Sequence, residues 1–163
     1  MQEQSVRKTY KYTLNPTAEH VRALERVLWR CRELYNAGLQ ERKEAWEKCH
    51  ISVNFAMQSA QLPDIKAMRP EYRDIHAQVL QDVLQRLEKT FQAFFRRVQA
   101  GEKPGYPRFN GRNCYNSFTY PQLGEHGGAR LDNGFLVLSK IGRIAVRWSR
   151  PPGGHAQDGH DQP

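Results

Sequence analysis

Cysteine is scarce in this chain. Cys31, Cys49 and Cys114 are the only three among 163 residues, an odd number without a CxxC pair, which argues against a disulfide framework and a thiolate zinc site alike. No window approaches about 18 uninterrupted apolar residues, so no membrane-spanning helix and no membrane partner is expected. The opening MQEQSVRKTYKYTL lacks the apolar core of a signal peptide, and a cytoplasmic, nucleoid-associated setting is the expectation. Also missing are a Walker-type glycine loop, a nucleophile elbow and an HExxH pair. Acidic residues are in deficit, with 17 against 25 Lys and Arg and a net charge of +8. Metal-dependent nucleases need carboxylates converging so that two ions sit about 4 Å apart. Here the strand-like region offers Asp132 and no obvious second carboxylate, so no catalytic residue, metal ligand or cofactor is assigned.

The stretch FQAFFRRVQAGEKPGYPRFNGRNCYNSFTY, from Phe91 to Tyr120, interleaves rings with cations. Arg96, Arg97, Lys103, Arg108 and Arg112 are suited to phosphates, and Tyr106, Phe109, Tyr115, Phe118 and Tyr120 offer faces for unstacked bases. Asn110, Asn113 and Asn116 add paired donors and acceptors. A second polar group, His76, Gln78 and Gln81, falls near the start of a predicted helix. Free backbone donors there favour phosphate, and glutamine matches an adenine edge. A third, Thr119, Tyr120 and Gln122, follows the basic loop, and the two patches are expected to border one cleft. Plainer readings exist for each: a solvated helix face for the glutamines, and a core role before a stacking role for Phe91, Phe94 and Phe95.

Periodicity organises the rest. Val6 to Leu14 alternates like a half-buried strand, and Asn15-Pro16 ends it. Thr17 is placed to cap a helix reaching about Lys48, with Val21, Leu24, Leu28, Cys31, Tyr35 and Leu39 on one stripe. A short helix from Ser52 or Asn54 is ended by Pro63. A long one, from Pro70 to Val98 and about 43 Å in length, carries the clearest apolar face, and an antiparallel bundle would bury these stripes. Asn116 to Pro121, Phe135 to Ser139 and Arg143 to Trp148 read as strands separated by glycine-bearing turns. The polar SRPPGGHAQDGHDQP end reads as a disordered tail in which His155, Asp158, His160 and Asp161 have no fixed geometry for a metal.

Four segments together carry a family resemblance: KTYKYTLNPT from Lys8, CRELYN from Cys31, the run from His76 to Gln122, and LSKIGRI from Leu138. In that order they resemble the amino-terminal region of the OrfB/TnpB proteins of insertion sequences. The resemblance implies a transposase or transposase accessory protein whose fuller members are RNA-guided DNA endonucleases. It further implies a split β-barrel wedge domain interrupted by a helical recognition domain, ahead of a nuclease domain and a zinc ribbon that this sequence does not reach.

The expected fold is therefore α+β, a helical bundle inserted into a split small β-barrel. Residues 1–15 and 104–150 would form the wedge-like part, 16–103 the helical recognition-like part and 151–163 the disordered tail. The expected function is that of a truncated, non-catalytic transposase part that binds DNA and guide RNA. Arg96, Arg97, Lys103, Arg108 and Arg112 would lie on the backbone, with Gln78, Gln81, Tyr106, Phe109, Thr119 and Tyr120 in base contact or stacking. Alternatives are a nuclease-free repressor acting on DNA with or without RNA, and a non-binding helical interaction module or gene remnant. Oligomeric state is not legible.

Overall fold

The computed structural model describes residues 9–147. Val6 to Lys8, Trp148 and the polar tail, with its His and Asp residues, lie outside them. Thr17 starts α1 (Ala18–Cys49) through a reciprocal cap. Its side chain accepts from the His20 N–H, and the His20 ring accepts from the Thr17 N–H, satisfying two donors that a helix start leaves free. At the other end His50 adopts a left-handed conformation that closes the helix.

Two short helices follow, α2 (Phe55–Ala60), capped by Asn54, and α3 (Leu62–Met68). Pro63 does not end a helix. It occupies the first turn of α3, where its missing N–H costs nothing. The long helix is also shorter than its apolar pattern suggests. Pro70–Asp74 form a 3-10 turn, Ile75 is extended, and α4 runs only from Ala77 to Gln99, about 35 Å. Tertiary contacts hold this break: the Tyr72 hydroxyl donates to Glu33 at 2.8 Å, and the Lys140 ammonium donates to the Arg73 carbonyl.

The expected antiparallel bundle is a parallel pair. Contacts advance together along the two long helices, from Gly38 beside Leu84 and Leu87, through Arg42 on Glu88 and the Phe91 ring, to Trp46 in one groove with Phe94 and Phe95. The chain from His50 to His76 is long enough to cross back, so α4 restarts beside the first half of α1. Val27, Cys31, Leu34, Leu39, Val79, Leu80, Val83, Leu84, Leu87 and Phe91 form the buried seam. Within it Arg42 is 6% exposed, and its charge is met by Glu88 at 2.5 Å and Gln58 at 2.9 Å. A buried guanidinium requires such partners.

The sheet has five strands in the order β1 (Thr13–Asn15), β5 (Gly142–Arg147), β4 (Phe135–Leu138), β3 (Gly128–Asp132), β2 (Gln122–Leu123). All neighbours are antiparallel except β2 and β3. Among the described residues it is an open sheet with β1 and β2 as edges, not closed into a barrel. The amino-terminal strand shrinks to three residues, with Tyr10 and Tyr12 stacked just ahead of it. The strand β3 falls where a glycine-rich turn was expected. Its hairpin to β4 is set by Asn133 and Gly134, both at positive φ (47° and 83°) as a two-residue primed turn requires.

Candidate nucleic-acid interface

Asn116 to Pro121, expected as a strand, joins no ladder. The chain from Lys103 to Gln122 is instead a strap that returns along α4 from its carboxyl end to its amino end. Tyr106 meets Phe91 and Phe94 edge-on at 5.8 and 5.4 Å, and Tyr115 packs on Tyr35 and beneath Arg86. Farther on, Tyr120 tilts against the His76 ring at 5.5 Å, and Gln78 Nε2 donates to Gln122 Oε1 at 3.0 Å. The alternation that reads as a strand is therefore real, but it matches a helical surface rather than a sheet neighbour.

Three side chains that motif reading did not single out fix the strap. Asn36 and Arg32 each donate to the Asn110 carbonyl at 2.9 Å, and the Asn110 N–H donates back to Asn36 Oδ1 at 2.8 Å. Arg86, oriented by Asp82, donates to the Ser117 carbonyl and to Thr119 Oγ1, both at 2.8 Å. Asn36 and Arg32 belong to the CRELYN segment, which was the one available signal. Arg86 gave none, because an arginine four residues after an aspartate reads as an ordinary helix pair.

Placement of the expected site residues is uneven. Arg96, Arg97, Lys103, Arg108 and Arg112 are all exposed, and no ion pair engages any of them among the described residues. Phe109 is 46% exposed. Tyr106 is 43% exposed, with its ring against Phe91 and Phe94 near the end of α4, and burial, followed by Glu47, raises its phenol pKa. Tyr115 is buried and unavailable as a stacking face, its phenol pushed up to about 12 by burial. Tyr120 is half-buried, packs against both hydrophobic clusters, and donates its hydroxyl to the Ser139 carbonyl at 3.0 Å.

The two polar patches do meet. His76 caps α4 by accepting from the Gln78 N–H, and its ring lies so close over Gly128 that a Cβ there would fall 2.6 Å from Nε2. Burial, then Lys140 and Lys66, lower the His76 pKa, so the neutral acceptor form is favoured. Gln78 Oε1 is buried without a hydrogen-bond partner, while Gln81 is exposed one turn on. The cationic end does not join this cleft. Arg96 is about 27 Å from Gln78 along the helix axis, leaving a glutamine patch and a charged patch at opposite ends of α4 with the strap between them.

A second cationic surface was not foreseen. Arg26 and Arg30 of α1, Arg73 and Lys140, together with Glu71 and Asp74, line a cleft of about 660 Å³ that also includes Val27, Ile75 and Ile141. Among the described residues, no three His, Cys, Asp or Glu side chains are grouped to hold a metal ion, and no helix is long and apolar enough to cross a membrane.

Fold and surface together define a small α+β protein with a cationic strap held along a helix. Comparison with known proteins is more specific. Residues 1–50 match the family described as the helix-turn-helix domain of OrfB in IS605. A Streptomyces pristinaespiralis protein named "Putative RNA-guided DNA endonuclease" is 29% identical over 91% of this chain and 36% of its own length. The Escherichia coli K12 protein "Putative RNA-guided DNA endonuclease InsQ" is 29% identical over 86% of the chain and 34% of its own length. Over most of its length the chain is similar to the amino-terminal portion of OrfB/TnpB-type proteins. It spans about a third of the length of these curated relatives. Within the matched segment the described residues form β1 and the uninterrupted 32-residue α1, with no turn between two helices, so a recognition helix docked through such a turn is not what this surface offers.

Proposed function

We propose that this chain is the nucleic-acid-binding part of an OrfB/TnpB-type transposition protein, engaging DNA together with a guide RNA, with strand cleavage residing in the part of the family that this sequence does not span. The observation carrying this reading is the strap: it presents Arg108 and Arg112 with no ion pair among the described residues while setting Thr119 on Arg86 and delivering Gln122 to Gln78 at the amino end of α4. Arg96, Arg97, Lys103, Arg108 and Arg112 bind phosphates, Phe109 and Tyr106 shape or stack in the strap, and Gln78, Gln81 and Thr119 contact base edges. Tyr120 supports that cleft through its ring. The sheet is read as part of a split wedge-like barrel, with the helical unit inserted between β1 and the later strands. A separation of about 27 Å corresponds to roughly 8 base pairs at 3.4 Å each, so one duplex reaches both patches.

Titration of duplexes across salt tests this. Five neutralised phosphates give log K a slope of about −4.5 against log salt, and duplexes much shorter than about 8 base pairs bind more weakly with a shallower slope. A flat salt response overturns the reading.

A further inference from the structure

The carboxyl ends of the parallel helices α1 and α4 bound a groove of about 510 Å³ lined by Trp46, Ile51, Val53, Phe94, Phe95 and Tyr106. This is the pole away from the sheet, and its apolar side chains are unusually open: Trp46 is 55% exposed, and Ile51 and Phe95 are each 50% exposed. The polar lining is Ser52 and Arg42, and Arg42 is already committed to Glu88 and Gln58. A nucleobase entering here leaves its hydrogen-bonding edges unmatched, a cost that apolar side chains do not incur.

The two banks of the groove carry opposite charge. Glu47 lies on the Tyr106 side, close enough to add to the effect of burial on that phenol. Lys89 and Arg96 line the hollow on the other side of Phe95. None of the three is ion-paired among the described residues. We infer that this groove is a self-association surface whose occupant is a second copy of the chain. The two copies are related by a two-fold axis, so that each copy's Phe95 packs into the other's aromatic groove and Glu47 of each faces Lys89 and Arg96 of the other. A two-fold interface must be self-complementary, and a groove with one acidic and one basic bank meets that condition when the banks are exchanged.

Size sets the strength. At about half exposure each large side chain contributes roughly 100 Å², so Trp46, Ile51, Phe95, Val98 and Tyr106 from two copies bury about 1,000 Å², at the lower limit of specific interfaces. The dimer is transient, and its formation does not depend on the nucleic-acid reading.

Sedimentation velocity on the full chain, from about 1 to about 500 µM to bracket a micromolar association, tests the inference. The expected result is a concentration-dependent shift from monomer to dimer. Phe95→Asp weakens it at least tenfold, with far-UV circular dichroism confirming that the variant is folded. Glu47→Lys and Lys89→Glu each weaken association as single changes, and combining them in one chain restores it. A wild-type chain that stays monomeric throughout overturns the proposal. So does a dimer indifferent to Phe95→Asp, or charge reversals that merely add. If, in a chain carrying Trp29→Phe and Trp148→Phe so that Trp46 is the remaining indole, a short single-stranded oligonucleotide quenches its fluorescence without any dimer forming, the groove takes bases instead and the proposal fails.

Discussion

Replacing Asn36 with alanine removes two hydrogen bonds that hold Asn110 at the middle of the basic strap, and leaves Arg32 as the remaining anchor. Each neutral bond contributes roughly 0.5 to 1.5 kcal/mol, and the partly buried Asn110 N–H left unpaired adds to the cost, so the strap loses about 2 kcal/mol of local stability. The loss appears as local opening, since the α1–α4 seam is untouched. If binding needs the anchored strap, apparent affinity falls by the fraction of molecules that hold it, with a ceiling of about 30-fold. No cation has been removed, so the salt slope stays where it was. Arg108→Ala does the reverse, lowering the slope by about 0.9 for the phosphate it gives up. Fluorescence anisotropy on one duplex at several salt concentrations separates the two behaviours. An Asn36→Ala chain that binds with unchanged affinity, or whose slope drops like that of Arg108→Ala, refutes the positioning role.

Glu88→Ala strands the Arg42 guanidinium in the core and is expected to cost about 3 to 5 kcal/mol, read from urea unfolding. Gln78→Ala narrows the gap between preferred and random duplexes by about 1 to 3 kcal/mol in a selection from randomised sequences, leaving random-sequence affinity nearly unchanged. His76 has a folded pKa below its unfolded value. The unfolded chain therefore binds the proton first, and this contribution to stability, complete above about pH 6.5, is lost as pH falls from there through the folded pKa. Unfolding of His76→Asn, followed over that window, shows a smaller pH dependence. Gly134→Ala places a Cβ at φ 83° in the β3–β4 turn and destabilises the chain by about 1 to 2 kcal/mol in thermal melts.

Local chemistry determined much of this protein from its sequence alone. Thr17 after Asn15-Pro16 specified the start of α1, because a hydroxyl there serves donors that nothing else reaches. The apolar stripe from Val79 to Phe91 placed the face of α4, because a 3.6-residue period leaves one side to bury. The exposure of Lys103, Arg108 and Arg112 followed from their flanking Gly and Pro residues, and that of Arg96 and Arg97 from their place at the end of α4. Tertiary structure decided where local patterns were compatible with more than one partner. The apolar period runs unbroken through Ile75, and Glu33 and Lys140, arriving from other elements, join the local His76 cap in holding the helix break there. Alternation from Asn116 to Tyr120 suits any surface that buries every second side chain, and Asn36 and Arg86 direct it onto a helix instead of into the sheet. The parallel course of α1 and α4 and the separation of the glutamine cleft from the arginine end were likewise invisible, because the crossing of α2 and α3 depends on contacts between residues distant in sequence. Periodicity reports how much of a segment is buried; which surface buries it is settled by the non-local contacts that form when the chain closes.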